Sequence, residues 1–157
     1  MTIEAKKLLG IKLAQRILDG EKIGIGSGST VECAISAIGE RIAKENLSIS
    51  CVPTSKRTAE LSRNLGINVL NQINAGTLSW AFDGADEINS DLNMIKGGGA
   101  CMLHEKIVAK RARKLVILVT EDKIVESLGE NFAVPVEVVP AAPVSYTHLT
   151  LPTTPYV

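Results

Sequence analysis

Short apolar runs separated by helix-length stretches constrain this chain more than any other feature. KIGIG (22–26), ISCVP (49–53), INVL (67–70), LSWAFD (78–83) and LVILVT (115–120) are brief, and INVL and LVILVT are dominated by Ile, Val and Leu. Runs of that length read as strands, and parallel strands need a crossover of about a dozen residues or more, usually a helix. Three of the four intervening segments fit that need. Apolar residues recur every four positions at Leu9, Leu13 and Ile17, which predicts a helix over 2–18 that ends near Asp19 and Gly20. Helical patterning spans 29–45. A further helix starts after Thr54 or Ser55 as cap and stops at Gly66, and another covers 100–113. The expectation is an α/β fold, a Rossmann-like, mainly parallel sheet with flanking helices. LVILVT reads as its most convincing buried strand.

Composition excludes several classes of function. Seventeen Lys and Arg balance seventeen Asp and Glu in 157 residues, so no net basic field draws a nucleic-acid backbone. No apolar run reaches the length of a membrane span, and MTIEAKKLLG lacks the core of a signal peptide. Cys33, Cys51 and Cys101 are odd in number, widely spaced and without a CxxC pair, which argues against a disulfide framework or zinc site. The expected setting is the cytoplasm.

Chemistry concentrates in four loops at strand ends or helix starts. GIGSGST (24–30) joins the first strand to the second helix. Glycines let the backbone approach an anion, the helix start offers free N–H groups, and Ser27, Ser29 and Thr30 add hydroxyls suited to phosphate. It is neither a GxGxxG fingerprint nor a Walker A loop, and a tight turn capped by Ser or Thr accounts for it equally well. DGADEIN (83–89) places Asp83, Asp86 and Glu87 at a strand's C-terminal end, where open α/β sheets bind ligands. Such carboxylates orient hydroxyls, hold metal or move protons; a solvated acidic turn is the plain alternative. IKGGGACMLHEK (95–106) sets Lys96, Gly97, Gly98 and Gly99 before a helix that carries Glu105 on its second turn. Converging amides and a lysine suit a developing oxyanion, and a nearby carboxylate suits proton abstraction beside a carbonyl. Close helix–sheet packing would also explain the glycines. His104 belongs on the surface, since neighbouring helix positions do not share a face. Lys123 in TEDK (120–123) is either a point charge over a phosphate or an ordinary exposed lysine.

In this order and spacing, GIGSGST, DGADEIN and KGGGACMLHEKIVA closely resemble the A-type ribose-5-phosphate isomerases, from the N-terminal helix to about Pro143. The resemblance implies interconversion of ribose 5-phosphate and ribulose 5-phosphate in the non-oxidative pentose phosphate pathway, without metal or organic cofactor. It carries over residue by residue. Ser27, Gly28, Ser29 and Thr30 match the first substrate loop, with Ser27 where a threonine is common. Asp83, Gly84, Ala85 and Asp86 match the second, and Lys96, Gly97, Gly98 and Gly99 the third. Glu105 matches the proton-transferring glutamate, with Asp83, Asp86 and Lys96 assisting, and Lys123 matches a substrate-binding lysine. The implied partner is a small sugar phosphate, with neither nucleic acid nor membrane, and the full-length protein is expected to form a homo-oligomer. Two other readings fit the loops less well: a sugar-phosphate-binding domain that has lost turnover, and a CoA-transferase-like enzyme or sugar-phosphate deaminase on a related fold.

The C-terminus departs from that pattern. Residues 1–130 form the expected Rossmann-like catalytic domain, and 131–143 begin a second small α+β lobe that is largely missing. VSYTHLTLPTTPYV (144–157) follows neither strand nor helix period and is expected to be a non-native or disordered tail.

Overall fold

The computed structural model describes residues 2–138. The expected tail at 144–157, and the end of the segment at 131–143, fall outside these residues. The elements run α1 (Ile3–Ala14), β1 (Lys22–Ile25), α2 (Ser29–Glu45), β2 (Ser50–Pro53), α3 (Lys56–Asn64), β3 (Asn68–Val69), β4 (Trp80–Gly84), β5 (Glu87–Ile88), β6 (Met94–Ile95), α4 (Met102–Arg111) and β7 (Leu115–Leu118), with a 3-10 turn at Glu121–Lys123. Five strands form a parallel sheet in the order β3-β2-β1-β4-β7. The chain moves outward from β1 through β2 to β3, then returns to place β4 on the other side of β1. This reversal opens a crevice at the C-terminal ends of β1 and β4, where doubly wound sheets bind ligands.

The pleat of the central strands explains the two layers that cover the sheet. Ile23 and Ile25 of β1, Cys51 of β2, and Trp80 and Phe82 of β4 meet Leu13, Ile17, Val31, Ile35 and Ile38 in the main core. The alternate positions bear smaller residues. Val52 and Ala81 join Leu78, Ala75 and Val108 of α4 in a second cluster. Gly24 belongs to this thinner face, where an added Cβ would lie 2.4 Å from Val108 Cγ1 and 2.6 Å from the Ala81 Cβ. The missing side chain lets α4 dock close to the sheet.

Capping sets several boundaries. Ser55 Oγ accepts from the Thr58 amide and starts α3, leaving Thr54 free for another partner. Asn46, in the left-handed conformation, ends α2. The first helix stops at Ala14, four residues short of the predicted end. Arg16 and Ile17 donate back to Leu13 and Ala14 in a tightened turn, and Arg41 of α2 binds the carbonyls of Ala14 and Ile17 at 2.6 and 2.7 Å. Ile17 still reaches the core, fully buried.

The burial of β7 differs from the sequence expectation. Among the described residues it pairs with β4 alone, Leu115 is 36% exposed, and only Leu118 is buried. An unbroken apolar run records the capacity for burial on both faces, and an edge position leaves that capacity partly unused. The β5–β6 hairpin was not anticipated, since two-residue strands show no period. No helix among the described residues is long and apolar enough to cross a membrane.

Gly24→Ala tests the close docking of α4. Overpacking is expected to lower stability by about 1–3 kcal/mol in urea denaturation. Adding Val108→Ala is expected to recover part of that loss, because the two changes share one contact.

Candidate active site

The site grows from the crevice between β1 and β4. After β1 the chain turns through Gly26, whose absent Cβ leaves room for Asp83; a Cβ there would lie 2.1 Å from the Asp83 carboxyl carbon. Asp83 is 5% exposed. Its Oδ1 accepts from the Ser27 and Gly84 amides at 3.1 and 2.8 Å, which ties the first loop to the second. The Ser27 hydroxyl pairs at 2.7 Å with buried Thr54 at the end of β2.

The α2 start is left open for an anion. Gly28 takes φ +115°, a conformation other residues rarely adopt, and no side chain caps the helix. The first helical bond runs from the Glu32 amide to Gly28 O, so the amides of Ser29, Thr30 and Val31 precede it. Lys6 of α1 donates to the Ser29 hydroxyl at 2.6 Å. The sequence reading missed this lysine because twenty-three residues separate it from the loop it meets.

The β5–β6 hairpin brings the second and third loops together. The Asp86 amide donates to Ile95 O at 2.9 Å, and Asp86 Oδ2 accepts from the Gly98 amide at 2.9 Å. The three glycines have separate reasons. Gly97 adopts φ +108°. At Gly98 a Cβ would lie 2.7 Å from Asp86 Oδ1 and 2.9 Å from Phe132 Cζ. A Cβ on Gly99 would meet nothing within 4 Å, so packing does not require that glycine. Since the Gly98 amide is already bonded, the amides of Gly97 and Gly99 are the candidates for a ligand oxygen.

Lys96 links the charged groups. Its ammonium donates to Gly84 O at 2.6 Å and lies 3.0 Å from Asp83 Oδ2 and 3.2 Å from Glu105 Oε2. Glu105 sits in the first turn of α4, one turn earlier than expected, because the helix starts at Met102 rather than Ala100. It is 7% exposed. The Lys96 contact is an ion pair by distance, but its direction is not that of a hydrogen bond. Oε2 therefore has no hydrogen-bond partner among the described residues. Burial pushes the Glu105 carboxyl above the ordinary range; Asp83, and more weakly Asp86, add to that, while Lys96 opposes it. A buried carboxylate with a raised pKa and an unbonded oxygen is suited to accept a proton.

Nearly all the anticipated residues border one cavity of about 180 Å³: Ser27, Gly28, Ser29 and Thr30; Gly84, Ala85 and Asp86; Lys96, Gly97, Gly98 and Gly99; Glu105; and Lys123. Asp83 borders instead a larger, mostly apolar cavity of about 530 Å³, with Glu105 and Lys96 on the boundary between the two. The smaller cavity, the more polar of the two, is the one that the open helix start and the glycine loop border. His104 is exposed and pairs with Gln72 outside the site. Glu87, expected beside the other two carboxylates, turns away into the protein and accepts from three backbone amides. No group of three metal-ligating side chains occurs among the described residues.

A parallel sheet with a crevice at its switch point, lined by carboxylates around a lysine and by an uncapped helix start, is the arrangement of a ligand-binding α/β fold. A model of the ribose 5-phosphate isomerase A (phosphoriboisomerase A) family matches residues 50–151, and the chain belongs to that family. It is 45% identical over 135 residues to ribose-5-phosphate isomerase A 1 of Oceanobacillus iheyensis, which covers 86% of this chain and 60% of the relative. Among solved structures, ribose 5-phosphate isomerase A of Methanocaldococcus jannaschii superposes with a TM-score of 0.83 at 39% identity, over 88% of this chain and 62% of that one. A D-ribose-5-phosphate isomerase in complex with phospho-erythronic acid gives 0.86 at 36% identity, over 90% and 62%. The chain thus spans about 60% of the length of the first of these relatives.

The raised Glu105 carboxyl sets a direction for pH. A group whose folded pKa exceeds its unfolded value contributes stability that is present below the unfolded pKa and lost as pH rises through the folded one. Lys96→Met removes the cation that opposes the shift. In that variant Glu105 is expected to titrate higher still, followed by carbonyl-carbon NMR of the labelled side chain. An unchanged titration would contradict the electrostatic account.

Proposed function

We propose that this chain catalyses the interconversion of D-ribose 5-phosphate and D-ribulose 5-phosphate, an aldose–ketose isomerisation of the non-oxidative pentose phosphate pathway. The observation that carries this reading is the Lys96 ammonium lying between the Asp83 and Glu105 carboxylates at the edge of the cavity of about 180 Å³ that the glycine and serine loops line. The Ser29 and Thr30 hydroxyls, the open amides of α2, and Lys123 bind the phosphate, with Lys6 steadying Ser29. Asp83 and Asp86 orient the sugar hydroxyls and assist ring opening. Glu105 takes the C2 proton of the open-chain aldose. The electron pair of that C–H bond becomes the C1–C2 double bond, and charge moves to the former carbonyl oxygen at C1. Lys96 and the amides of Gly97 and Gly99 stabilise that oxygen. A proton passes from the C2 hydroxyl to the C1 oxygen, and Glu105 returns its proton to C1, leaving the carbonyl at C2. C2 is oxidised and C1 reduced within one substrate, so the reaction needs no external electron acceptor, and the proton held on Glu105 exchanges with solvent before it returns.

Proton exchange tests the reading. Incubation with ribose 5-phosphate in D2O is expected to deuterate C2 and form ribulose 5-phosphate, both followed by NMR, with both signals lost in Glu105→Gln. Lys96→Ala is expected to lower turnover by roughly 10²–10³-fold, the usual cost of an oxyanion donor. Binding of ribose 5-phosphate without exchange would identify a silent binding domain. A covalent thioester on Glu105 after incubation with an acyl-CoA would identify a transferase.

A further inference from the structure

Glu87 is the most fully engaged carboxylate among the described residues and has no place in the scheme above. It is 1% exposed at the start of β5, directly after Asp86. Its Oε2 accepts from the Gly129 amide at 2.6 Å, and its Oε1 from the Asn131 and Phe132 amides at 2.5 and 2.7 Å. These are short, charge-assisted bonds, the strong kind, made across more than forty residues of chain. Gly129 adopts φ +95°, a turn that lets amides so close in sequence face one carboxylate. Burial alone would raise the Glu87 pKa, but the three amides and Lys123 outweigh it and hold the carboxyl below the ordinary range.

The 129–132 loop held in this way touches the site at two points. Phe132 closes over the glycine turn, as its Cζ limits the space above Gly98. The same ring lies 5.8 Å from Lys123 Nζ, within cation–π range. Lys123 and Gly98 both border the polar cavity. A second tie, the Val125 amide donating to Ile88 O at 3.0 Å, anchors the start of this segment to the same short strand.

We infer that Glu87 is a positioning residue for substrate binding: its carboxylate gathers the 129–132 loop, so that Phe132 fixes the Gly98 turn and holds Lys123 at the phosphate end of the cavity. The consequence for binding rests on the proposed function; the consequence for loop order does not. Glutamine cannot replace Glu87, because its NH2 group would face the Gly129 N–H with a donor instead of an acceptor.

The test combines binding, turnover and amide exchange in the full chain. In Glu87→Gln, calorimetric affinity for ribose 5-phosphate is expected to weaken about tenfold, while kcat falls less than about threefold. Phe132→Leu, which leaves the buried carboxylate intact, is expected to weaken binding in the same direction. Adding Glu87→Gln to Phe132→Leu is expected to cost less than it does alone, since both act through one ring. Unchanged affinity in a folded Glu87→Gln protein, or full additivity in the double variant, would overturn the inference. If the unmutated chain binds no ribose 5-phosphate, the proposed function fails, and hydrogen exchange decides the role of Glu87. The amides of Gly98, Gly129, Asn131 and Phe132 are then expected to exchange at least about tenfold faster in Glu87→Gln. Equal exchange would refute the positioning role.

Discussion

The close approach of α4 to the sheet is the constraint on which the site depends. Strand residues two apart face the same way, so Gly24 and Gly26 of the first crossing share a face with Ala81 and Asp83 of the neighbouring strand. That face carries little bulk, and Val108 of α4 occupies the space above Gly24. Glu105 precedes Val108 by one helical turn and is drawn down by the same contact. Packing below the site thus fixes the separation of the carboxylates within it. A larger residue at Gly24 would act on the chemistry without touching it.

Close packing has an electrostatic consequence. Asp83 and Glu105 are both nearly buried, and burial together with the Asp83 charge raises the cost of ionising Glu105. Lys96 offsets this only in part, with Asp83 also bonded by two amides and Glu105 left one oxygen without a donor. The burden therefore falls unequally. Asp83 is bound by two amides and Lys96, while burial and the nearby Asp83 push the Glu105 carboxyl up. Two groups of the same chemistry thus meet different surroundings within one site.

Much of this was legible in the sequence because local signals and tertiary structure agree. The helix at 29–45 and the Ser55 cap follow from period and capping chemistry, and the loop positions follow from glycines at strand ends. The misreadings share a cause: each depends on a partner remote in sequence. The period of α1 continues to Ile17, but Arg41 from α2 ends the helix at Ala14. LVILVT has the composition of a buried strand and, among the described residues, stands at a sheet edge. Glu87 looks like one carboxylate of a cluster until the amides near position 130 are in place. Lys6 shows no link to the serine loop until α1 packs on α2. Residues that touch only their neighbours can be read from pattern; those that serve distant loops cannot.

The strand order also bears on how the chain emerges during synthesis. β1, β2 and β3 follow one another in sequence, but the neighbour that covers the other edge of β1 is β4, made roughly sixty residues later. At about 5–20 residues per second, that central edge stands unpaired for about 3–12 s. An open central edge is a template for pairing with another nascent chain. The loop reversal that creates the binding crevice therefore also creates an interval of exposure, longest where synthesis is slowest.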